Sequence, residues 1–467
     1  MQEAAETMDD VLNGFGGNIA AGMRAALDYL GSRSTGQLLA HVGRRVESLP
    51  RITPVDKTAL QDSYGGARTT TPDDMLTGRG LFYVTEQGRL SLDCTSGHYQ
   101  MLWGYNDPHL CRSAAAAVEA GIVWDNHCNV PQTPVKRLAH RLVELANDSG
   151  EPDPLNTVHL GCCTGSVACA AALKIQLVVH EREHGPTGRP AVVVMDGNYH
   201  GTDVLCQRLR GMWSRFVHNL DVIAVQPNDH EELEDAFRRA GGRVAAFWAE
   251  PILMNREAIV LDAEYLQLAR RLCDACGAVM CIDEIQTGFW QPEVFDFRSL
   301  GIRPDMVVVG KGMTGGFHPL AAVLYKERLD VLATYDAIST NGSAPLAAYM
   351  ALCCIERLLA DSARIAAVGD RYEQAMRELA SEFPDLLVDA RGKRHMMGLK
   401  FRRVEDALTF HRRGIERGLW IRVHAYHEGH STVLTKLALP ADASVTDYVI
   451  ETFRDMLRAL RSAEDAE

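Results

Sequence analysis

The sequence predicts an α/β protein whose large domain has a mainly parallel sheet covered by helices, with a smaller α+β domain beside it. Apolar runs alternate with amphipathic stretches: AVVVMDG near 191, VAAFWAEP near 244, AVMCIDE near 278 and MVVVGKG near 306. Strands that are buried on both faces give such continuous apolar runs. Each run ends on polar residues or glycine, and ligands of open α/β sheets lie beyond the carboxyl ends of the strands. We therefore expect the chemistry at these strand ends.

Length and charge limit the classes of function. The 467 residues are enough for more than one domain, since single cores stop growing at roughly 250–300 residues. The formal net charge of −13 repels a phosphate backbone, so a nucleic acid is not an expected partner. The start, MQEAAETMDD, lacks the pattern of a secretory signal, and no apolar stretch reaches the roughly 18 residues that cross a bilayer. The twelve cysteines, some of them adjacent, are expected to be thiols of a cytoplasmic protein.

The chain is expected to divide into four parts. These are an N-terminal extension of unknown role (1–75), the N-terminal part of the small domain (76–135), the large domain (136–345) and the C-terminal small domain (346–467). The extension is Ala-rich at first and turn-rich in YGGARTTTPDD, and LFYVTEQGRLSLD from Leu81 predicts two short strands. After Asn341, APLAAYMALCCIERLLADSAR predicts one long helix that leads away from the sheet.

Two charged residues directly follow predicted strands. Lys311 comes after MVVVG and before the glycine-rich GMTGGFHPL; it is either a nucleophile at a strand end or a surface lysine in a turn. The stretch is not a Walker loop, because Gly312 stands where Ser or Thr would bind magnesium. Asp283 follows AVMCI, and a buried carboxylate needs a cationic or hydrogen-bonding partner. A protonated pyridine nitrogen is one such partner, and a structural salt bridge is the alternative.

A third feature is the helix start in CCTGSVACAAALKIQ. Thr164, Gly165 and Ser166 open an Ala-rich helix after a short apolar strand. Small residues let a phosphate approach the free N–H groups of a helix start. An ordinary N-cap gives the same pattern.

The stretches around residues 164, 249, 283 and 311, taken in the order in which they follow one another along the chain, resemble the class III aminotransferases. These are pyridoxal 5′-phosphate (PLP) enzymes of fold type I. The stretches AEPI at 249, DEIQTGF at 283 and PDMVVVGKGMTGGFHPLAAV at 304 are similar to the family's E-P-I, D-E-V-Q-T-G-F and P-D-x-x-x-x-G-K-G-x-x-G-G-x-x-P-L-x-A-V motifs. The resemblance extends from about Gly80 to Leu457. It implies a fold type I PLP-dependent transferase in which the large domain binds the cofactor.

The resemblance also implies roles for individual residues. Lys311 would carry PLP as a Schiff base and move the proton between substrate and cofactor carbons, and Asp283 would pair with the pyridine nitrogen. The other implied cofactor residues are Gly165 and Ser166 at the phosphate, Tyr199 stacked on the ring, Gln286 near the ring hydroxyl, Glu250 as a nearby carboxylate and Thr340 at the phosphate of the neighbouring subunit. A homodimer with shared active sites is thereby implied.

Several positions depart from the family pattern on the substrate side. Lys436 in TKLALPAD stands where the family has an arginine that holds a substrate carboxylate, so a planar fork is replaced by a point charge. Phospho-lyase-type relatives carry a similar lysine at this position, so the alternatives are a substrate with a phosphate or one with no α-carboxylate at the usual place. Tyr99 and Trp103 in SGHYQMLWGY are expected to shape an aromatic substrate pocket, and Arg422 is either a replacement anion anchor or an exposed arginine. Two further departures follow. Val167 and Ala170 stand where the family has glutamates at the start of the helix, and Trp290-Gln291 stands where the family has Gly-Arg.

No metal site is expected. The string HEREH at 180–184 fits the zinc-protease pattern H-E-x-x-H, but GPTGRP interrupts the helix at once and no third ligand is evident.

The expected reaction is the transfer of an amino group between an amine or amino acid and a keto acid or aldehyde. Elimination of the phospho-lyase kind and decarboxylation are the alternatives, because the cofactor residues do not distinguish these outcomes. A binding module without catalysis is disfavoured, since both Lys311 and Asp283 are present.

Overall fold

The structure is a computed structural model that describes residues 18–55, 74–125, 129–185, 188–425 and 427–464. Most of the turn-rich stretch YGGARTTTPDD lies outside these ranges. The strands are β1 Met75–Arg79, β2 Phe82–Thr85, β3 Leu90–Asp93, β4 Thr157–Cys162, β5 Ala191–Met195, β6 Asp221–Val225, β7 Val244–Ala249, β8 Ile252–Leu253, β9 Ile259–Val260, β10 Val279–Asp283, β11 Met306–Val309, β12 Ala321–Tyr325, β13 Leu387–Lys393, β14 Met396–Phe401, β15 Leu419–Trp420, β16 Arg422–His424 and β17 Thr432–Lys436.

The helices alternate with the strands of the large sheet and then dominate the C-terminal third of the chain. They are α1 Ile19–Gly31, α2 Thr35–Leu39, α3 Pro108–Glu119, α4 Thr133–Ala146, α5 Gly165–His184, α6 Val204–Leu209, α7 His230–Ala240, α8 Ala263–Cys276, α9 Asp296–Ser299, α10 Pro345–Ala360, α11 Ser362–Glu382, α12 Val404–Glu416 and α13 Ala443–Glu464. None of the described helices is long and apolar enough to cross a membrane.

A seven-stranded sheet in the order β4-β12-β11-β10-β7-β5-β6 forms the centre of the large domain. Its strands are parallel except for β12, which is antiparallel to β11 and β4. The predicted mainly parallel sheet is thus confirmed, and the four apolar runs are β5, β7, β10 and β11.

Both faces of this sheet are buried. Along β5, Val193 and Met195 belong to one hydrophobic core, while Val192 and Val194 belong to the core on the opposite face. Helices α8 and α10 contribute to the first core and α5 to the second. This alternation explains the apolar runs, because neither face of a covered parallel strand has a polar position.

The predicted long helix after Asn341 is two helices. α10 ends at Ala360 and α11 begins at Ser362, and Asp361 between them has φ −107° and ψ 6°. The Arg364 guanidinium bonds the Asp361 carboxylate at 2.7 Å and the Leu439 carbonyl at 3.0 Å. Because of this break, α10 packs in the core of the large sheet, whereas most of α11 packs in the core of the small domain.

The small domain is built on a second four-stranded sheet, β13-β14-β17-β16, covered by α11, α12 and α13. The described part of the N-terminal extension belongs to the same core: Tyr29 and Leu30 of α1 share a hydrophobic cluster with Phe453 and Leu457 of α13. The strands predicted from Leu81 are β2 and β3, which pair with each other and with β15 near the C-terminus.

Candidate active site

Five parallel strands bring polar residues to one edge of the large sheet, because their carboxyl ends all point the same way. β10 ends on Asp283, Glu250 directly follows β7, and Lys311 lies two residues after β11. The turn after β5 carries Tyr199, and the turn after β4 leads into Ser166 at the start of α5. The structure therefore brings five of the residues that the sequence predicts at the cofactor to one sheet edge.

Lys311 begins a short turn in a left-handed conformation, with φ 40°. Burial lowers the pKa of its amine, and the charges of Asp283 and Glu250 oppose that shift. Within the described residues its Nζ makes neither a hydrogen bond nor an ion pair. Gly310 before it allows close packing, since a Cβ there would lie 3.0 Å from Cδ1 of Ile285.

Asp283 is a buried carboxylate, 2% exposed. Its Oδ2 lies 2.7 Å from Nδ1 of His200 and accepts a hydrogen bond from the Cys169 thiol at 3.5 Å, and its Oδ1 accepts from the Ile285 N–H at 2.9 Å. Among the described residues, no lysine or arginine pairs with it. Asp283 therefore keeps room for a further cationic partner.

Glu250 links the residues predicted around the cofactor ring. Its Oε1 accepts from the Tyr199 N–H at 2.8 Å, and its Oε2 accepts from the Gln286 amide at 3.3 Å. Burial and the nearby Asp283 charge raise the pKa of Glu250 to about 7. The Gln286 amide also donates to Asn255 at 3.3 Å, which fixes its orientation.

A narrow cradle surrounds the start of α5. The Ser166 hydroxyl accepts from the Thr202 N–H at 3.0 Å. A Cβ on Gly165 would lie 2.9 Å from Ile285, and one on Gly201 would lie 2.4 Å from the Ser166 Oγ. Only glycine fits at both positions, and the free N–H groups of the helix start are left accessible to an anion.

Thr340 is placed apart from this cluster, on an exposed turn. The neighbouring Ser339 hydroxyl donates to the Gly161 carbonyl at 3.1 Å, and Asn341 donates to Asp125 at 2.6 Å. These bonds hold the turn near β4 while Thr340 faces outwards.

Lys436 is fully buried, although a lysine side chain is long and ends in an amine. Its Nζ donates to the Gln286 carbonyl and lies 4.1 Å from the ring centre of Trp290 and 5.2 Å from that of Tyr99. Burial and the positive charge of Lys311 lower its pKa well below the usual value. The rings of Tyr99 and Trp290 therefore enclose the Lys436 amine, which lies close enough to Lys311 for the charge of Lys311 to affect it.

Trp103 is fully buried on another side of this region. The Arg357 guanidinium lies 3.9 Å from its ring centre, and Cys354 contacts it from α10. The structure thus places Trp103 in the core between the site and α10.

Sequence reasoning missed three residues of this site: His200, Cys169 and His98. His200 directly follows Tyr199, so the NYHG stretch contained the signal, but its pairing with Asp283 joins residues far apart in the chain. For Cys169 the sequence predicts only a thiol and does not indicate its contact with Asp283. His98 contacts the Arg422 guanidinium, whose Nη1 lies 2.5 Å from the His98 Nδ1.

Comparison with known proteins decides the family. A family model described as "Aminotransferase class-III" matches residues 66–456. The chain belongs to this family. The resemblance and the expected aminotransferase activity are confirmed, and as a class III aminotransferase the chain is PLP-dependent.

Curated relatives carry aminotransferase names. The chain is 29% identical to the acetylornithine aminotransferase of Xylella fastidiosa (strain 9a5c), over 69% of this chain and 78% of that protein. It is 26% identical to the putrescine aminotransferase of Pectobacterium atrosepticum, over 72% of each chain.

Solved structures share the fold. A transaminase from the marine bacterium Virgibacillus gives a TM-score of 0.75 at 18% identity, over 88% of this chain and 97% of that one. The N-acetylornithine aminotransferase of Stenotrophomonas maltophilia K279a gives 0.68 at 22% identity, over 84% and 97%. At such identities the likeness shows the fold, which confirms fold type I.

The residues of this chain fit PLP. Three features lie together at one sheet edge: an amine with no hydrogen-bond partner among the described residues, a buried carboxylate with no lysine or arginine partner among them, and a glycine-lined helix start. They match an aldehyde, a protonated pyridine nitrogen and a phosphate, which are the three polar ends of the cofactor.

Proposed function

We propose that this class III aminotransferase holds PLP on Lys311 and moves an amino group between a primary amine or amino acid and a keto acid or aldehyde. The observation that carries this proposal is that the Lys311 amine, which makes no hydrogen bond or ion pair within the described residues, and the buried Asp283 carboxylate lie at the ends of two neighbouring strands. When bound, the cofactor supplies a carbon that captures amines and a ring that accepts electrons.

We assign the cofactor contacts as follows. Asp283 would pair with the pyridine nitrogen, Gly165 and Ser166 would hold the phosphate, and Tyr199 would stack on the ring. Gln286 would lie near the ring hydroxyl, with Glu250 as a nearby carboxylate. The hydrogen bonds from Tyr199 and Gln286 to Glu250 support this assignment, because they join three of these residues in one cluster.

Lys311 acts as the general acid and base. Burial favours the neutral form of its amine, and a neutral amine can take a proton from the substrate carbon. Asp283 and Glu250 lie close enough to stabilise the charged form that results. Lys311 can then return the proton to a neighbouring carbon without exchange with bulk water.

The His200 imidazole and the Cys169 thiol hold the Asp283 carboxylate in place. Both reach its Oδ2, the imidazole at 2.7 Å and the thiol at 3.5 Å. His200 is itself held against the Trp248 ring, with ring centres 4.9 Å apart. We propose that this pair positions Asp283 against the ring nitrogen.

On the substrate side, we propose that Tyr99 and Lys436 form one wall of the pocket, with Trp103 supporting it from the core. The burial of all three supports a closed aromatic wall.

We further propose a homodimer, in which Thr340 reaches the phosphate of the neighbouring subunit. Its exposure on a turn held by bonds to Gly161 and Asp125 supports this assignment. A cytoplasmic location is supported by the free thiols of the described cysteines.

The names of the relatives supply the first donors to test: N-acetylornithine and putrescine. We expect a donor to convert the lysine-bound cofactor to its amino form, and an added keto acid to restore the lysine-bound form. The visible absorption of the cofactor measures both steps. Turnover that releases ammonia without an added acceptor would contradict aminotransfer.

Elimination is the second candidate, and Lys436 is the observation that favours it. A phosphorylated amine is its test substrate. Release of inorganic phosphate without a keto acid would establish a lyase instead.

A further inference from the structure

A second cavity lies beside the turn that carries Tyr199, where the large and small domains meet. Its volume is about 340 Å³. On the large-domain side it is lined by the turn after β5, the end of α6 and the turn after β8, and on the small-domain side by the segment between β16 and β17. The residues assigned above to the cofactor do not line it. The cavity is therefore separate from the candidate active site.

Arg210 brings an unpaired positive charge to this cavity. It is half-buried, and its guanidinium lies 5.2 Å from the ring centre of Tyr199. Within the described ranges, this guanidinium makes neither a hydrogen bond nor an ion pair. Its N–H donors form a planar fork that fits a carboxylate in bidentate geometry. A partly buried charge without a partner indicates a ligand of opposite charge.

Arg256 supplies a second guanidinium, whose charge is compensated by Asp196 at 3.0 Å. It lies against Gly197, where a Cβ would be 2.5 Å from the Arg256 Cδ. Directly after Arg256 the backbone passes through two left-handed residues, Glu257 and Ala258, with φ values of 61° and 59°. Residues with a Cβ keep this conformation only where the surroundings enforce it, and such strain is concentrated at ligand sites. Here it places Arg256 in the cavity wall.

His430 adds a buried hydrogen-bond donor to the wall. It is 3% exposed, and burial lowers the pKa of its imidazole. Its Nε2 accepts from the Arg256 guanidinium at 3.0 Å, so the proton of the neutral ring is on Nδ1. This Nδ1 has no hydrogen-bond partner in the part of the chain that the structure describes. Because a buried donor is costly to leave unpaired, His430 indicates a ligand with an acceptor atom.

Asn198 adds a buried acceptor. It is also 3% exposed, and its Nδ2 donates to the carbonyls of Met195 at 2.8 Å and Leu209 at 3.1 Å. These bonds fix the orientation of the amide and leave its Oδ1 without a donor among the described residues. The ligand that fits this wall therefore carries an N–H or O–H donor as well as an acceptor.

The charges of the wall decide the class of ligand. Its charged side chains are those of Arg210, Arg256 and Asp196, so two positive charges and one negative charge leave a net charge of +1 when the histidines are neutral. A singly charged anion neutralises this wall. A zwitterion leaves it positive, and a doubly charged phosphate makes it negative. A carboxylate is the singly charged group that also matches the Arg210 fork.

We propose that this cavity is a second ligand site, which binds a small monocarboxylate that carries a hydroxyl or amide N–H beside the carboxylate. Arg210 and His430 bind the carboxylate, and the Asn198 amide oxygen accepts from the neighbouring donor. Arg210 and Asn198 belong to the large domain and His430 to the small one, so the bound anion stabilises the contact between the domains. Occupancy also affects Tyr199, because Arg210 lies against its ring.

The test uses N-acetylglycine as the probe, since it has a carboxylate and an amide N–H but no amine, aldehyde or keto group for amino transfer. Isothermal titration of the PLP-loaded protein measures its binding, and we expect one saturable site per chain. N-acetylglycinamide lacks the charge and should bind at least about 30-fold more weakly. Propionate lacks the N–H and should bind about 10-fold more weakly. Saturating N-acetylglycine should also raise the Tm.

Arg210→Met should weaken the binding of N-acetylglycine about 30-fold and abolish the rise in Tm, because the change removes the unpaired guanidinium. Arg215→Met is the matched control. The Arg215 guanidinium also lies against an aromatic ring, 4.6 Å from the ring centre of Phe216, but it does not line the cavity. Its affinity for the probe should change less than about 2-fold. The unfolding midpoint without the probe checks that each variant is folded.

Two substitutions of His430 separate its donor from its contact with Arg256. His430→Gln keeps an acceptor for Arg256 but loses the donor at the Nδ1 position, so binding of N-acetylglycine should weaken about 10-fold. His430→Asn, whose amide can occupy the Nδ1 position, should retain most of the affinity. The opposite order of the two variants would exclude Nδ1 as the donor to the carboxylate.

Several outcomes would overturn the inference. Equal affinities of Arg210→Met and Arg215→Met for N-acetylglycine would place the anion outside this cavity. Inorganic phosphate that binds more tightly than N-acetylglycine, and depends on Arg210, would replace the carboxylate by a phosphate. A wild type that binds neither probe would remove the ligand site altogether. These measurements follow binding alone, so a failure of the proposed amino transfer is a separate result.

Discussion

The proposed roles of Asp283 and Lys311 concern the cofactor, so they depend little on the residues that line the substrate pocket. The sequence predicted both from their positions after apolar strands, because a polar residue at the end of a buried strand is a local signal. It did not predict that His200 and Cys169 would meet Asp283, since these contacts cross 83 and 114 positions of the chain. Contacts between residues so far apart in the chain depend on the order of the strands in the sheet, and local sequence patterns do not determine that order.

Asp283→Asn should leave the lysine-bound cofactor formed but slow the first half-reaction about 1,000-fold, because a neutral amide cannot hold the ring nitrogen protonated. Stopped-flow absorption after mixing with an amine donor measures this rate. The control is Asp296→Asn, which neutralises another buried carboxylate, paired with Lys393 at 2.6 Å. An unchanged rate in Asp283→Asn would remove Asp283 from the mechanism.

Glu250 should make the cofactor-free protein less stable as pH rises. Its pKa is raised to about 7 by burial and by Asp283, whereas that of an unfolded glutamate is about 4.3. Between these values the folded state retains a proton that the unfolded state has lost, so stability is present at low pH and is lost through pH 7. Glu250→Gln should reduce the loss of unfolding free energy between pH 5 and pH 8 by about 2 kcal/mol. Urea titrations at the two pH values measure it, and an identical pH slope in both proteins would contradict the raised pKa.

At the scale of secondary-structure elements, periodicity predicted the central strands but not their arrangement. β12 reverses direction between β11 and β4, and nothing in AAVLY marks that reversal. The helix break at Asp361 was also missed, because α10 and α11 are apolar on faces that belong to two different cores. A single amphipathic pattern cannot show that the packing partner changes.

The open space at the start of α5 exists because the glycines around it have no side chains. Gly201→Ala should weaken PLP binding at least about 10-fold and lower stability, because its Cβ would collide with Ser166, where even the backbone Cα lies 2.8 Å away. Gly211→Ala is the matched control, since Gly211 also has a positive φ, 81°, but has open space around a Cβ. Fluorescence titration with PLP measures the affinity. Equal effects of the two changes would mean that backbone strain rather than the cradle is responsible.

At the scale of the whole molecule, Glu257 ties the large domain to the small one. From the hairpin β8–β9 its Oε1 accepts from Lys400 at 2.8 Å, from the Ser431 N–H at 2.7 Å and from the Thr432 hydroxyl at 2.8 Å. Burial would raise the pKa of Glu257, but these bonds hold it below the usual value. No local pattern indicates this link, because its acceptor and donors lie more than 140 positions apart in the chain.

Glu257→Gln should cost about 3 kcal/mol of unfolding free energy, since it leaves the largely buried Lys400 without its counter-charge and removes one of the two carboxylates that pair with Arg391. Guanidinium unfolding measures the loss. Asp447→Asn, which removes an exposed pair with Arg371, should cost less than about 1 kcal/mol. Similar losses in both variants would show that the contact between domains adds no more than a surface pair.

The central claim is that Lys311 carries PLP in the cluster formed with Asp283, and one measurement tests it most directly. Borohydride reduces the bond between a lysine and PLP to a stable amine, which peptide mass spectrometry can locate. We predict that the purified protein shows the visible band of the lysine-bound cofactor, that an amine donor removes this band, and that borohydride fixes the pyridoxyl group to Lys311. A protein saturated with PLP that shows no such band, or that carries the fixed group on Lys436 or another lysine, would contradict the account.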